Sequence, residues 1–361
     1  MKRLLAGTAL LCSLAAVTAM PAQATEPTWQ QVGLPFLWPS AAIADVTALG
    51  QEDVWIAGVQ GAFCVPQIGT WGCSFSSDGN PVARRWTGTA WQEYPLPGFT
   101  GNGPLTMVSA TAPDDVWIAA PMVSPQYLAR FDGTAFTQVA PPPDTTYLRL
   151  SAGKAGTWLA ASRREGGQDL YRREGDAWVR TVPATLTNVT EVRARTATDA
   201  WAIGAEPYGI GTRGAIARWD GQAWQRIEHP GTKPFLDSTV LPVSATEAWL
   251  VPNRNENVIW RWDGADWSRV DGPAGAQLLK LTVDGTGTVW AGGQETVNVD
   301  GSPRRRPVLM HHTGGQWQRV TLAMPWGANE MSVADLTTAP GTGSVWVAAN
   351  TNIGPRVFRQ R

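Results

Sequence analysis

The chain has 361 residues, with 29 lysines and arginines against 30 aspartates and glutamates, a net charge of −1 at neutral pH and a pI near 6.3. That balance lacks the basic face that nucleic acid or an anionic membrane surface requires, and neither is expected as a partner. With 20 Trp, 5 Tyr, 8 Phe, 38 Gly and 27 Pro, the composition suits many short strands joined by tight turns and shows no sustained helical periodicity.

The first segment reads as a leader. Lys2 and Arg3 precede an apolar run from Leu4 to Val17, and Ala22-Gln23-Ala24 supplies a small-x-small cleavage site. Cleavage after Ala24 leaves a soluble chain starting at Thr25, exported to the cell envelope or beyond; the apolar run is too short to anchor it. Cys12 leaves with the leader, and Leu10-Leu11 before it lacks the small residue of a lipoprotein signal.

Thr28-Trp29-Gln30-Gln31-Val32 is a strand without a partner nearby, within a segment of about 27–33. Beyond it, Cys64 and Cys73 lie nine residues apart in one loop of a chain bound for an oxidising compartment, and a disulfide is expected. Two thiols without a neighbouring His do not fill a zinc shell, and no metal or cofactor is expected.

Residues 105–139 display a repeating unit. Leu105–Ser109 is a first strand, Pro113-Asp114-Asp115 a turn, Val116–Ala119 a second strand and Tyr127–Phe131 a third. Asp132-Gly133 makes a tight hairpin turn, and Ala135–Val139 is the fourth strand. The fourth-strand aromatic recurs as Trp29, Trp91, Phe136, Trp178, Trp224, Trp267 and Trp317, with intervals of 62, 45, 42, 46, 43 and 50 residues. A second-strand Trp recurs seven times as well, at 55, 117, 158, 201, 249, 290 and 346. Asp53, Asp115, Asp199 and Glu247 stand two residues before it, placed to brace the preceding turn. Four antiparallel strands per unit of about 45 residues make a propeller blade. After Trp346 the chain ends at its third strand, so the Trp29 strand is expected to complete the seventh blade and remove an open edge. The expectation is an all-β, seven-bladed β-propeller over residues 25–361, closed by its N-terminal strand, with both Trp series packed between blades.

The run Asp-Val-Trp followed by Arg-Trp-Asp-Gly-x-x-Trp, as in Arg218-Trp219-Asp220-Gly221-Gln222-Ala223-Trp224, resembles the Trp-rich repeats of secreted bacterial β-propellers near the kelch, Asp-box and tectonin-like groups. Trp219-Asp220 and Trp262-Asp263 are similar to a WD40 ending without its Gly-His partner. The resemblance covers residues 25–361 and implies a scaffold, not an activity.

Chemistry is sparse. His229, His311 and His312 are the only histidines, and adjacent strand residues such as His311 and His312 face opposite ways. No phosphate loop, HExxH motif or nucleophile elbow is present. First strands line the axial channel of a propeller, and Asp45, Arg149, Glu191, Arg193, Asp237, Lys280 and Asp335 fall there. The carboxylates Asp45, Glu191, Asp237 and Asp335 are the candidates for acid/base cleavage of a polysaccharide; mutual ion pairing is the simpler expectation.

Extra length falls on one end of the ring: 60–82, 205–214 and 293–306 between second and third strands, with 95–104 and 229–237 between blades. Loops on a rigid scaffold are where binding is usually placed. Ring order brings 34–44, 60–82, 293–306 and 323–331 together, with Trp38, Trp71, Trp326, Phe36, Phe63 and Phe75 as candidate ligand-binding aromatics. Arg304-Arg305-Arg306 reads as a solvated loop run. The expected function is a monomeric binding module for a glycan or an extracellular protein. A carbohydrate-active hydrolase or lyase and a structural cell-envelope protein are the alternatives.

Overall fold

A computed structural model describes residues 28–67, 73–182, 186–230, 239–251 and 258–360. Seven four-stranded antiparallel sheets form a ring, and a separate two-stranded hairpin stands outside it. Blades 1 to 7 begin with first strands Ala42–Gly50, Met107–Ala112, Thr145–Gly153, Asn188–Thr196, Thr239–Ser244, Ala276–Val283 and Met331–Thr338. First strands lie innermost and touch their counterparts in the next blade, so each blade stands edge-on to the axis. The fourth strand of blade 7 is Trp29–Val32, paired antiparallel from Trp29↔Gln360 to Val32↔Val357. The seven-bladed ring closed by its N-terminal strand is therefore the observed fold.

Both aromatic series pack as expected. Second-strand tryptophans are almost wholly buried, at 0–3% exposure. The fourth-strand aromatic of the following blade meets each of six of them edge-on. Phe136 lies 5.7 Å from Trp55, Trp178 5.7 Å from Trp117, and Trp224 5.5 Å from Trp158. Trp267 lies 6.1 Å from Trp201 and Trp317 5.6 Å from Trp249. Trp29 lies 6.0 Å from Trp290, so the N-terminal strand repeats the contact made by strands that continue from their own blade. T-shaped pairing joins the positive ring edge to a negative face, and burial of each indole is worth about 2–3 kcal/mol.

Several local expectations need correction. The acids before the second-strand Trp hold the third-strand arginine of their own blade, and Asp115 and Asp199 also brace the preceding turn as expected, through Thr111 and Arg195. Asp53 binds Arg85 through two hydrogen bonds of 2.8 and 2.7 Å. Asp199 binds Arg218 at 2.8 and 3.1 Å, and Glu247 accepts from Arg261 at 2.9 Å. These guanidiniums lie 5.3–5.7 Å from the centres of Trp55, Trp201 and Trp249, so the cation stacks on the second-strand ring directly across the ladder. His311 takes the Arg place over Trp290, and His312 the aromatic place against Trp249. Burial lowers the basicity of both imidazoles.

The Asp-Gly hairpins are four-residue connections, not two. Phe131 pairs with Phe136, Gly133 adopts φ of 99°, and the Asp132 carboxylate accepts the amides of Thr134 and Ala135 at 2.9 and 3.0 Å. The first strand of blade 2 starts at Met107 because Leu105, fully buried, is held out of the ladder by an amide bond to the Gly58 carbonyl.

The extra segments between second and third strands are ladders where they are described, whereas 95–104 contains no strand. Blade 4 extends its middle hairpin through Tyr208 and Gly211, and blade 6 through Val299 and Ser302. Arg304–Arg306 thus sit in a strand, Ser302–Thr313, where Arg304 and Arg305 pair with Glu330. In blade 1, Phe63–Pro66 and Cys73–Ser77 form the separate hairpin, crosslinked by the Cys64–Cys73 disulfide.

Candidate functional site

The axial channel is a cavity of about 760 Å³. In four blades a bulge in the first strand directly precedes the residue that lines it. The ladder slips by one residue between Ile43 and Asp45, Val189 and Glu191, Leu278 and Lys280, and Val333 and Asp335. Three of the slips crowd the opposite strand. A Cβ at Gly58 would lie 2.1 Å from the Ala42 carbonyl oxygen, one at Gly204 1.7 Å from that of Asn188 and one at Gly293 2.0 Å from that of Gln277. Glycine three residues after the second-strand Trp makes room for the bulge in those blades, while blade 7 forms it opposite Ala349.

Two residues before the partner of each second-strand Trp stands an inner position occupied by Asp45, Met107, Arg149, Glu191, Thr239, Lys280 and Asp335 in blades 1 to 7. Its acids join one blade to the next. Asp335 accepts the Val46 amide at 3.0 Å, Asp45 accepts Val108 at 2.9 Å, and Glu191 accepts Val240 at 2.9 Å. The Met107 sulfur lies 3.3 Å from the Leu150 amide in the equivalent place. Arg193 binds Glu191 at 2.9 Å and crosses to the Leu281 carbonyl at 2.9 Å, bypassing blade 5. Lys280 lies 3.5 Å from Asp335. Asp45, Glu191 and Asp335 thus share the channel with Arg149, Arg193 and Lys280, three acids with three bases. Asp237 lies outside the described residues; blade 5 contributes Thr239 instead.

Asp45 and Asp335 are a coupled pair, for both reach the Val46 amide at 3.0 Å. Burial, then the charge and hydrogen bond of Asp335, raise the Asp45 carboxyl well above its usual range. Burial opposes ionisation of Asp335 too, but Lys280 and the hydrogen bonds from Asp45 and Val46 outweigh it and hold that carboxyl low. One proton is therefore favoured on the Asp45 side of the pair. Among the described residues no cluster of three His, Cys, Asp or Glu could hold a metal ion.

The other candidate is the end of the ring carrying the second-to-third-strand and between-blade connections. Among the described residues, twelve large apolar side chains are exposed, and eleven belong to this end; Val179 lies in the outer strand of blade 3. Trp38 is 61% exposed, packed edge-on against Phe36 at 5.6 Å, and its amide is held by Gln60 at 3.2 Å. Trp326 is 98% exposed. Its place is fixed by a turn in which the Ala328 amide reaches the Pro325 carbonyl at 3.0 Å and Gly327 takes φ of 81°. Phe63 is exposed on the disulfide hairpin, where Phe75 stands across from Val65 in the ladder. Trp71 lies outside the described residues.

Sequence reasoning missed Met122, Tyr208, Ile210 and Ile353, which add to this exposed set. Tyr208 and Ile210 had a signal: they alternate with Gly209 and Gly211 inside a segment of extra length. Met122 and Ile353 had none, because their connections are short.

No protein-family model matches the chain, and no curated protein matches it by sequence. Solved structures resemble it in fold. The structure titled "YCF48 bound to D1 peptide" superposes with a TM-score of 0.60 at 16% identity, over 95% of this chain and 99% of that one. The WD40 β-propeller domain of Doa1 gives 0.60 at 13% identity, over 91% and 96%. A GH74 enzyme from Niastella koreensis gives 0.54 at 13% identity, over 89% of this chain and 43% of that one.

Proposed function

We propose that the protein is a secreted recognition module that engages a polypeptide partner through the loop-rich end of its ring, as a monomer and without a cofactor. One observation carries this reading: eleven of the twelve exposed large apolar side chains among the described residues belong to that end. Apolar groups displayed together on a braced scaffold favour association by removing their area from water. A structure of the same fold is titled as bound to a peptide, which agrees with the reading. Export after cleavage at Ala24 accords with the Cys64–Cys73 disulfide, and no described helix is long and apolar enough to cross a membrane. N-terminal sequencing of exported protein should begin at Thr25.

A glycan ligand is the second reading, favoured by the flat, exposed indoles of Trp38 and Trp326. Photo-crosslinkers at positions 38 and 326, against a control at 222 in a tight turn, separate the cases. Polypeptide adducts from the first two positions alone support the proposal. Glycan-array binding lost in Trp326→Ala, without polypeptide adducts, would replace it with the second reading. Polysaccharide cleavage abolished by Asp45→Asn or Glu191→Gln would replace both with an enzyme.

A further inference from the structure

Trp326 is unusual in being fully exposed yet firmly held. Besides its own turn, the chain just after it is clamped on two sides. The amides of Asn329 and Glu330 both donate to Asn352 Oδ1 of blade 7, at 2.9 and 3.1 Å. Arg306 of blade 6 donates to the Asn329 carbonyl at 2.6 Å. The turn that carries this exposed indole is tied to two blades, so its backbone has little conformational freedom left to lose on contact. Ile353, also exposed, stands beside it: its Cδ1 lies 3.9 Å from where a Cβ of Gly327 would be.

The charges around this apolar pair are unequal. Arg304, Arg305 and Arg306 line the extended strand of blade 6, and Arg356 follows Ile353 in blade 7. The carboxylate with which these guanidiniums pair is Glu330, shared by Arg304 at 3.4 Å and Arg305 at 3.3 Å. Arg306 and Arg356 donate to backbone carbonyls only. On the same hairpin Glu295 faces Arg306 across the ladder and pairs with Arg319, and Asp300 lies at the turn. Five cations with three anions leave a surplus of positive charge beside Trp326 and Ile353, while the whole chain carries −1.

We propose, resting on the polypeptide-recognition reading above, that this corner between blades 6 and 7 docks an acidic segment of a partner polypeptide. Trp326 and Ile353 cover apolar side chains of the segment, and the arginines take its carboxylates. Guanidinium forks suit carboxylates in paired hydrogen bonds, and the exposed indole supplies the large apolar anchor that dominates small interfaces.

The test is selection of a phage-displayed random peptide library on the full chain, followed by anisotropy titration of the enriched peptides. The expected peptides carry Asp or Glu next to aromatic or aliphatic residues. Their affinity should fall at least about tenfold in Trp326→Ala and in Arg305→Glu, and should weaken as salt rises toward about 0.15 M, where charges are screened beyond about 8 Å. Unchanged melting temperature in Trp326→Ala excludes a folding artefact, since that side chain supports nothing beneath it. Peptides indifferent to both variants but lost in Trp38→Ala would overturn the acidic corner and leave the recognition reading standing. Peptides indifferent to all three variants, or no enrichment, would overturn both.

Discussion

Four of the seven second-strand tryptophans, Trp55, Trp117, Trp201 and Trp249, lie beneath an arginine held by an acid two residues upstream, and this small assembly explains much of the composition. Asp199 is its most buried example: it accepts from Arg218 and also from Arg195, at 2.7 Å. Removing a carboxylate from such a pair leaves guanidinium charge half out of water, so Asp199→Ala should lower stability by about 3 kcal/mol. Urea unfolding checks this, and a loss below 1 kcal/mol would show that the stacked Arg218 needs no counter-ion. The channel acids behave differently. Asp45 has its carboxyl raised in the folded state, so its contribution is present below the ordinary carboxylate range and is lost as pH rises through the folded value. Asp335 has the opposite shift and contributes above that range, with loss as pH falls through its lowered value. The stability of the wild type relative to Asp45→Asn should therefore decline from pH about 4 toward neutrality. A pH-independent difference in melting temperature would refute the shared proton. The Trp and acid series were readable because they recur at fixed spacing. The pairing of Asp45 with Asp335 was not, because 290 positions separate them and only ring closure brings them together.

At the scale of strands, glycine makes room for the first-strand bulge of blades 1, 4 and 6. Gly204 faces the bulged Asn188 carbonyl too closely to admit any side chain. Gly204→Ala should cost about 1–3 kcal/mol by forcing the bulge to shift, and amide exchange at Val240, held by Glu191, should accelerate. Protection unchanged at Val240 would separate the bulge from the hook. The disulfide hairpin stands apart from the blade ladders, and its crosslink closes a segment of only nine residues. Replacing both cysteines by serine should leave the melting temperature within about 2 °C while exposing residues 63–77 to proteolysis. Strand alternation in the extra segments was hidden in the sequence by prolines and arginines. Ser302–Val308 reads as polar coil until its partner strand is known, since pairing partners, not local propensity, make that edge a ladder.

For the whole molecule, both seams of blade 7 repeat contacts made elsewhere in the ring. Trp29 meets Trp290 of blade 6 as Trp224 meets Trp158, and Asp335 holds Val46 of blade 1 as Asp45 holds Val108. Deleting residues 25–35 should remove this closure and convert one sharp thermal transition into a broad one at lower temperature, measured by calorimetry. Retention of the full transition would mean that six complete blades suffice. The seam has a second consequence. Because Trp29 faces Gln360 in the ladder, these two residues meet where blades 2, 4 and 5 have a four-residue Asp-Gly hairpin. A linker copied from Asp132–Ala135 should join them, and a new start opened in that same hairpin should yield a circularly permuted chain with the same fold. The order in which the blades are written is then a matter of genetic punctuation, and the ring itself has no beginning.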